Sequence, residues 1–174
     1  MRHSTDRILT THVGSLIRPP ALVKFMRAKA DNQPYDEQAY GQCLRSSVGD
    51  AVRAQIEDGI DIPSDGEFGK GVSWSRYVLE RLEGYETRVQ SKFGELLIGG
   101  LDRERFREFY LEYDKAQGIP SVGKFACVGP IKYVGQAAIQ RDIGNFKAAL
   151  EGLDVEEAFM PAVAPSSVNP DRIE

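Results

Sequence analysis

The sequence predicts an α/β fold made of strand–helix units with parallel strands. Three observations carry that expectation. Short β-branched or apolar runs alternate along the chain with longer segments of helical periodicity. Adjacent hairpin-like runs are absent except around residues 85–98, so successive strands must be joined by crossovers, which are right-handed in such folds. Each short run also opens into a polar loop carrying glycine or proline, as the strand C-termini of α/β folds do. Periodicity leaves two architectures open, a doubly wound sheet or part of a (β/α)8 barrel.

The elements follow in order. RILTTHVGS, from Arg7 to Ser15, reads as a buried strand closed by Gly14. Pro20 to Ala30 place Leu22, Val23 and Met26 at helical spacing behind a proline suited to a first turn. Asp36 is positioned to cap a long helix in which Tyr40, Cys43, Leu44, Val48, Ala51, Val52 and Ile56 form one apolar face up to Gly59. IDIPSDGE gives a second short strand entering a turn over Ser64 to Gly71. Ser73 to Leu82 read as helix, and Gly84 to Gly100 as an excursion, with Tyr85, Thr87 and Val89 alternating as in a hairpin. Asp102 to Gln117 set Phe106, Phe109, Tyr110 and Tyr113 on one helical face. VGKFACVGP reads as a third strand ended by Gly129–Pro130, Gln136 to Glu151 as a helix, and VEEAFMPAVAPSSV as a fourth strand.

Composition excludes several classes of function. The 174 residues are 41% apolar and 28% charged, an ordinary globular balance, and predict a single domain. With 22 Lys and Arg against 26 Asp and Glu, the chain lacks the cationic excess that binding a nucleic-acid backbone requires. Cys43 and Cys127 stand in no metal-ligand or disulfide spacing, which fits a reducing compartment. No apolar run approaches the roughly 18–20 residues of a membrane span, and the first residues lack the apolar core of a signal peptide. A cytoplasmic protein with no nucleic-acid or membrane partner is therefore expected. Dinucleotide, P-loop, nucleophile-elbow and zincin strings are missing.

Candidate chemistry gathers in the loops after the strands. His12-Val13-Gly14-Ser15 and Ser64-Asp65-Gly66-Glu67 combine flexible glycines, whose N–H groups can hold a carboxylate, with side chains able to hold or move a proton. Asp65 and Glu67, two residues apart, would point the same way if strand geometry persists, and either can receive an ammonium group, act as a base or ligate a metal. His12 is a proton carrier or a structural side chain, and Cys127 a thiolate or a small buried hydrophobe. Arg18 can clamp an anion or cap a surface, and Trp74 can wall a pocket or pack a helix. Pro165-Ser166-Ser167 close the fourth loop.

Taken together, TTHVGSLIRP at Thr10 to Pro19 and VGDAVRAQIEDGIDIPSDGEFGK at Val48 to Lys70 resemble the cobalamin-independent methionine synthase family. The similarity is greatest to its single-domain branch, which includes epoxyalkane:coenzyme M transferases. CVGPIKY and EAFMPAVAP fit the same branch in order and spacing. The resemblance implies a (β/α)8 TIM barrel, of which residues 1–174 supply the N-terminal half, roughly the first four βα units. It implies transfer of a methyl group from methyltetrahydrofolate to homocysteine, with a zinc ion activating the thiol. Val13, Gly14 and Ser15 match the contacts to the amino-acid substrate, and Glu67 matches the carboxylate that meets its ammonium group; His12 and Asp65 stand beside them in the same substrate-binding strings. Ala126 and Cys127 fall where the classical synthases have an Arg-Cys pair near the folate cofactor, and Asp65 replaces the histidine of the classical HGE string. The family's zinc ligands come from the second half of the barrel, so no metal ligand is expected among these residues. Two alternatives accompany this reading: an epoxyalkane:coenzyme M transferase-like thiol alkyltransferase, and a non-catalytic half-barrel assembly module.

Overall fold

A computed structural model describes residues 3–71, 74–88, 101–117 and 124–164. Among them the chain is mixed α/β, with six α-helices and one two-stranded sheet. It divides into two compact units: one from residues 1–81 and 133–168, the other from 82–132 and 169–174.

The first unit is built around α2 (Glu37–Glu57). Asp36 caps it, its carboxylate accepting the Ala39 N–H at 3.0 Å. The helix ends where Gly59 takes a φ of 83° and the Ile60 N–H returns to the Gln55 carbonyl. α1 (Pro20–Ala30) and α6 (Gln136–Leu150) pack on it. Leu22 and Met26 of α1, Leu44, Val48, Ala51 and Val52 of α2, Phe146 of α6 and Phe68 form the core, while Cys43, expected in it, is half-buried at its edge. These three helices follow the spacing read from the sequence. α3 (Trp74–Leu79) is shorter than the Ser73–Leu82 helix expected there.

Three extended segments of this unit run parallel, with single bridges from Thr11 to Ile62 and from Ser64 to Phe159. They are barely strands, and the chemistry of their residues explains why. The Thr10 N–H goes to the Asp61 carboxylate at 2.7 Å rather than to a neighbouring carbonyl. Pro63 and Pro161 have no N–H to give a ladder. The order is nevertheless sequential: α1 and α2 separate the first segment from the second, and α6 lies between the second and the third.

The expected third parallel strand is a correction. β2 (Lys124–Tyr133) runs straight through Gly129–Pro130 and pairs with β1 (Leu82–Arg88). The pairing is antiparallel, since the Val134 N–H meets the Arg81 carbonyl while Lys132 lies 3.9 Å from Glu83. Gly84 makes this possible: with φ at 92°, a Cβ there would lie 2.6 Å from the Pro130 carbonyl oxygen. The described residues thus contain three parallel segments and a separate ribbon rather than four βα units.

The second unit holds that ribbon, α4 (Leu101–Arg105) and α5 (Arg107–Gln117). The single helix expected from Asp102 to Gln117 breaks at Phe106. Its aromatic face packs on itself: Phe109 stacks on Tyr113 at 5.7 Å, and the Tyr110 hydroxyl donates to Asp102 at 2.8 Å. Residues 89–100, which include Val89 of the expected hairpin, lie outside the described residues.

Candidate functional site

The site lies at the end of the second parallel segment, and α2 positions it. Gln55 is buried, and its side-chain amide closes two bonds on the Ser64 backbone, Nε2 to the Ser64 carbonyl at 2.9 Å and the Ser64 N–H to Oε1 at 3.0 Å. Ser64 is fully buried. One helix side chain therefore does for this residue what a strand neighbour would otherwise do.

Beyond Ser64 the chain turns sharply. Gly66 and Glu67 both adopt left-handed conformations, with φ of 63° and 59°. For Gly66 this costs nothing; for glutamate it is a strained conformation that persists only when its surroundings fix it. Three bonds do so. The Asp65 carboxylate accepts the Glu67 N–H at 3.0 Å, Arg18 donates to the Glu67 carbonyl at 2.8 Å, and the Leu16 N–H meets the Gly66 carbonyl at 3.1 Å. A Cβ at Gly66 would also be tight, at 3.2 Å from the Phe68 side chain and 3.3 Å from that of Leu16.

This turn separates the two carboxylates that strand geometry would have aligned. Asp65 is buried, and burial raises its carboxyl above the ordinary range despite the N–H bond from Glu67. Its side chain shapes the turn, whereas Glu67 is the acid offered to the surroundings. The Ser15 hydroxyl donates to Glu67 Oε2 at 2.6 Å, and the Lys70 ammonium lies 3.5 Å from Oε1. Burial pushes the Glu67 carboxyl upward, but Ser15, Lys70 and Arg18 outweigh it, so the group stays below the ordinary glutamate value and ionised at neutral pH. Lys70 is itself buried, and its ammonium also donates to the Pro161 carbonyl, which fastens the third parallel segment to the same turn.

Ser15 and Glu67, singled out from separate strings, are thus in direct contact. Gly14 takes a φ of 110° with open space where a Cβ would be, and Val13 is exposed. His12 is half-buried, with Nε2 shut from solvent and without a hydrogen-bond partner among the described residues. Ala126 and Cys127 belong to the other compact unit. Ala126 is buried, and Cys127, the next residue of the ribbon, is exposed with its Sγ 3.4 Å from the Gly129 carbonyl. The buried reading of Cys127 is therefore corrected: Ala126 is buried there, whereas Cys127 and Val128 are both exposed. Residues 165–167 lie outside the described residues.

Sequence reasoning missed Gln55 and Lys70. A polar residue at a core-face position of an amphipathic helix, three residues beyond Val52, was the available signal for the first. Spacing of three from Glu67 was the signal for the second. Among the described residues no three His, Cys, Asp or Glu side chains gather as a metal would require. No described helix is long and apolar enough to cross a membrane. No protein-family model matches this chain, and no curated protein matches it.

Proposed function

We propose that residues 3–164 form the substrate-holding part of a thiol S-methyltransferase of the cobalamin-independent methionine synthase type, in which the three parallel segments begin the wall of a (β/α)8 barrel. One observation carries the reading: the Ser15–Glu67 contact joins the two loops that the resemblance assigns to the amino-acid substrate. Glu67, ionised and held by Ser15 and Lys70, receives the ammonium group of homocysteine. Backbone N–H groups at Val13 to Ser15, beside the left-handed Gly14, receive its carboxylate.

Zinc, when bound, keeps the thiol as a nucleophilic thiolate. In this reading its ligands lie outside the described residues, and the residues described act by binding and orienting the substrate. Methyltetrahydrofolate is the methyl donor. An alkyl donor of another kind, as in epoxyalkane:coenzyme M transferases, is the second reading, favoured by Ala126, which is buried and has no polar group to offer a folate.

Calorimetric titration tests the proposal. L-Homocysteine is expected to bind the chain, and Glu67→Gln to weaken it by about ten- to a hundredfold, the loss of a charge-assisted hydrogen bond. Coenzyme M has no ammonium group and should be indifferent to that substitution. Equal homocysteine affinity in the wild type and Glu67→Gln would refute the assignment of Glu67.

A further inference from the structure

A cavity of about 180 Å³ opens in the first unit between the end of α1, the start of α2, the Gly69–Gly71 turn, α3 and the first turns of α6. Four cationic residues line it, each from a different stretch of chain: Lys29, Lys70, Arg81 and Arg141. Lys70 and Arg81 are only 7% and 8% exposed. Buried charges are retained only where they are paired, and here the buried Arg81 and the half-exposed Arg141 share one carboxylate, Asp142. Asp142 takes Arg81 at 2.9 Å and lies 3.6 Å from Arg141, Glu67 lies 3.5 Å from Lys70, and Glu80 lies 3.6 Å from Lys29.

Two further features point to an anion as the occupant. Arg81 lines the cavity, and its Nε is buried without a hydrogen-bond partner among the described residues, as is Asp142 Oδ1. α6 is preceded by Gly135, which offers no side-chain cap, and its first turn reaches the cavity at Ala138, so the positive end of a 15-residue helix adjoins the cations. Gly135 is fixed by the same arrangement, since a Cβ there would lie 2.6 Å from the Arg81 side chain.

We propose that this cavity binds a phosphate-type oxyanion. A carboxylate takes donors in one plane, whereas a tetrahedral, multiply charged group takes them from several directions, as cations on four separate elements supply them. The volume suits one phosphate group and is below that of a pocket for a whole nucleotide. Free phosphate and the phosphoryl end of a small metabolite share this chemistry.

The test is calorimetry and thermal unfolding of the full chain at constant ionic strength with inorganic phosphate, glucose 6-phosphate and succinate. Saturable binding of one or both phosphates, with succinate weaker, is expected; the tighter of the two identifies the source. Lys29→Ala and Arg141→Ala, whose side chains are each 49% exposed and can be removed without opening the core, should each weaken phosphate about tenfold. Arg53→Ala, on another face of α2, should leave it unchanged. Phosphate should also shift the Arg81 Nε–H resonance in nitrogen NMR, which a purely structural arginine would not show. Absence of saturable phosphate binding, binding no stronger than that of succinate, or full affinity in the Lys29→Ala/Arg141→Ala double variant would overturn the proposal.

Discussion

Replacing Gln55 by alanine removes the clasp that α2 places on the second parallel segment. The amide gives one hydrogen bond to the carbonyl of Ser64, a residue with no exposed surface, takes one from the Ser64 N–H, and gives another to the Ala51 carbonyl of its own helix. The substitution therefore leaves a buried N–H and a buried carbonyl at one position. Each such orphan costs about 1–3 kcal/mol, and partial relaxation toward water places the expected loss near 3 kcal/mol. A global stability of about 5–15 kcal/mol makes that loss easy to resolve by urea denaturation followed by circular dichroism. Gln55→Met, which keeps the volume but not the bonds, should cost nearly as much, so cavity formation and lost bonding separate cleanly. Exchange of the Ser64 amide proton should quicken in both variants. A loss below about 0.5 kcal/mol in Gln55→Met, with unchanged Ser64 exchange, would refute the claim that this side chain replaces a strand neighbour.

Gly66→Ala should cost about 1–3 kcal/mol, because a φ of 63° and approaches of 3.2 and 3.3 Å to Phe68 and Leu16 act together; urea midpoints check it, and an unchanged midpoint contradicts the packing described. Burial raises the Asp65 carboxyl in the folded state, so its ionisation works against folding: its contribution is most favourable at pH below the ordinary carboxylate range and is lost as pH rises from there through its folded value. Asp65→Asn keeps an oxygen for the Glu67 N–H without the charge. Its stability relative to the wild type should accordingly increase between pH 4 and pH 7. A difference that is flat or falls across that range, in denaturation at several pH values, would contradict the burial effect.

The helices were legible because their information is local. Asp36, the periodic positions from Tyr40 to Ile56 and Gly59 specify cap, face and stop within one stretch of chain, and α2 forms as they dictate. The parallel segments were legible only as short apolar runs, since the Thr10–Asp61 bonds and the prolines at 63 and 161, which shorten their ladders, matter through partners far along the sequence. The ribbon misled for a related reason. Gly129–Pro130 is a stop signal in isolation, and it is tolerated because Gly84, some 45 residues earlier, leaves room for the Pro130 carbonyl. At the site, Ser15 and Glu67 were found from their loops, whereas the separation of Asp65 from Glu67 depended on two successive left-handed residues. Glycine announces such a conformation; glutamate does not.

That left-handed glutamate bears directly on the proposed role of the site. A carboxylate can be offered to a ligand from ordinary backbone, so strain at Glu67 calls for a reason in what it positions. In an extended strand Glu67 would share a side with Asp65, and two carboxylates facing one ligand would compete for it and raise each other's proton affinity. The turn sends Asp65 into the interior, where it holds the Glu67 N–H, and leaves Glu67 alone with Ser15 and Lys70. Arg18 then fixes the backbone of the same residue through its carbonyl. The result is a single ionised acid with a set orientation, which suits recognition of one ammonium group better than proton transfer, for which a raised carboxyl is wanted. The same comparison discriminates experimentally: an ionised acid that binds the ammonium group predicts homocysteine affinity that is flat through the ordinary glutamate range and falls only below it, a fall that Glu67→Gln removes, whereas a raised carboxyl suited to proton transfer would place that fall above the ordinary range.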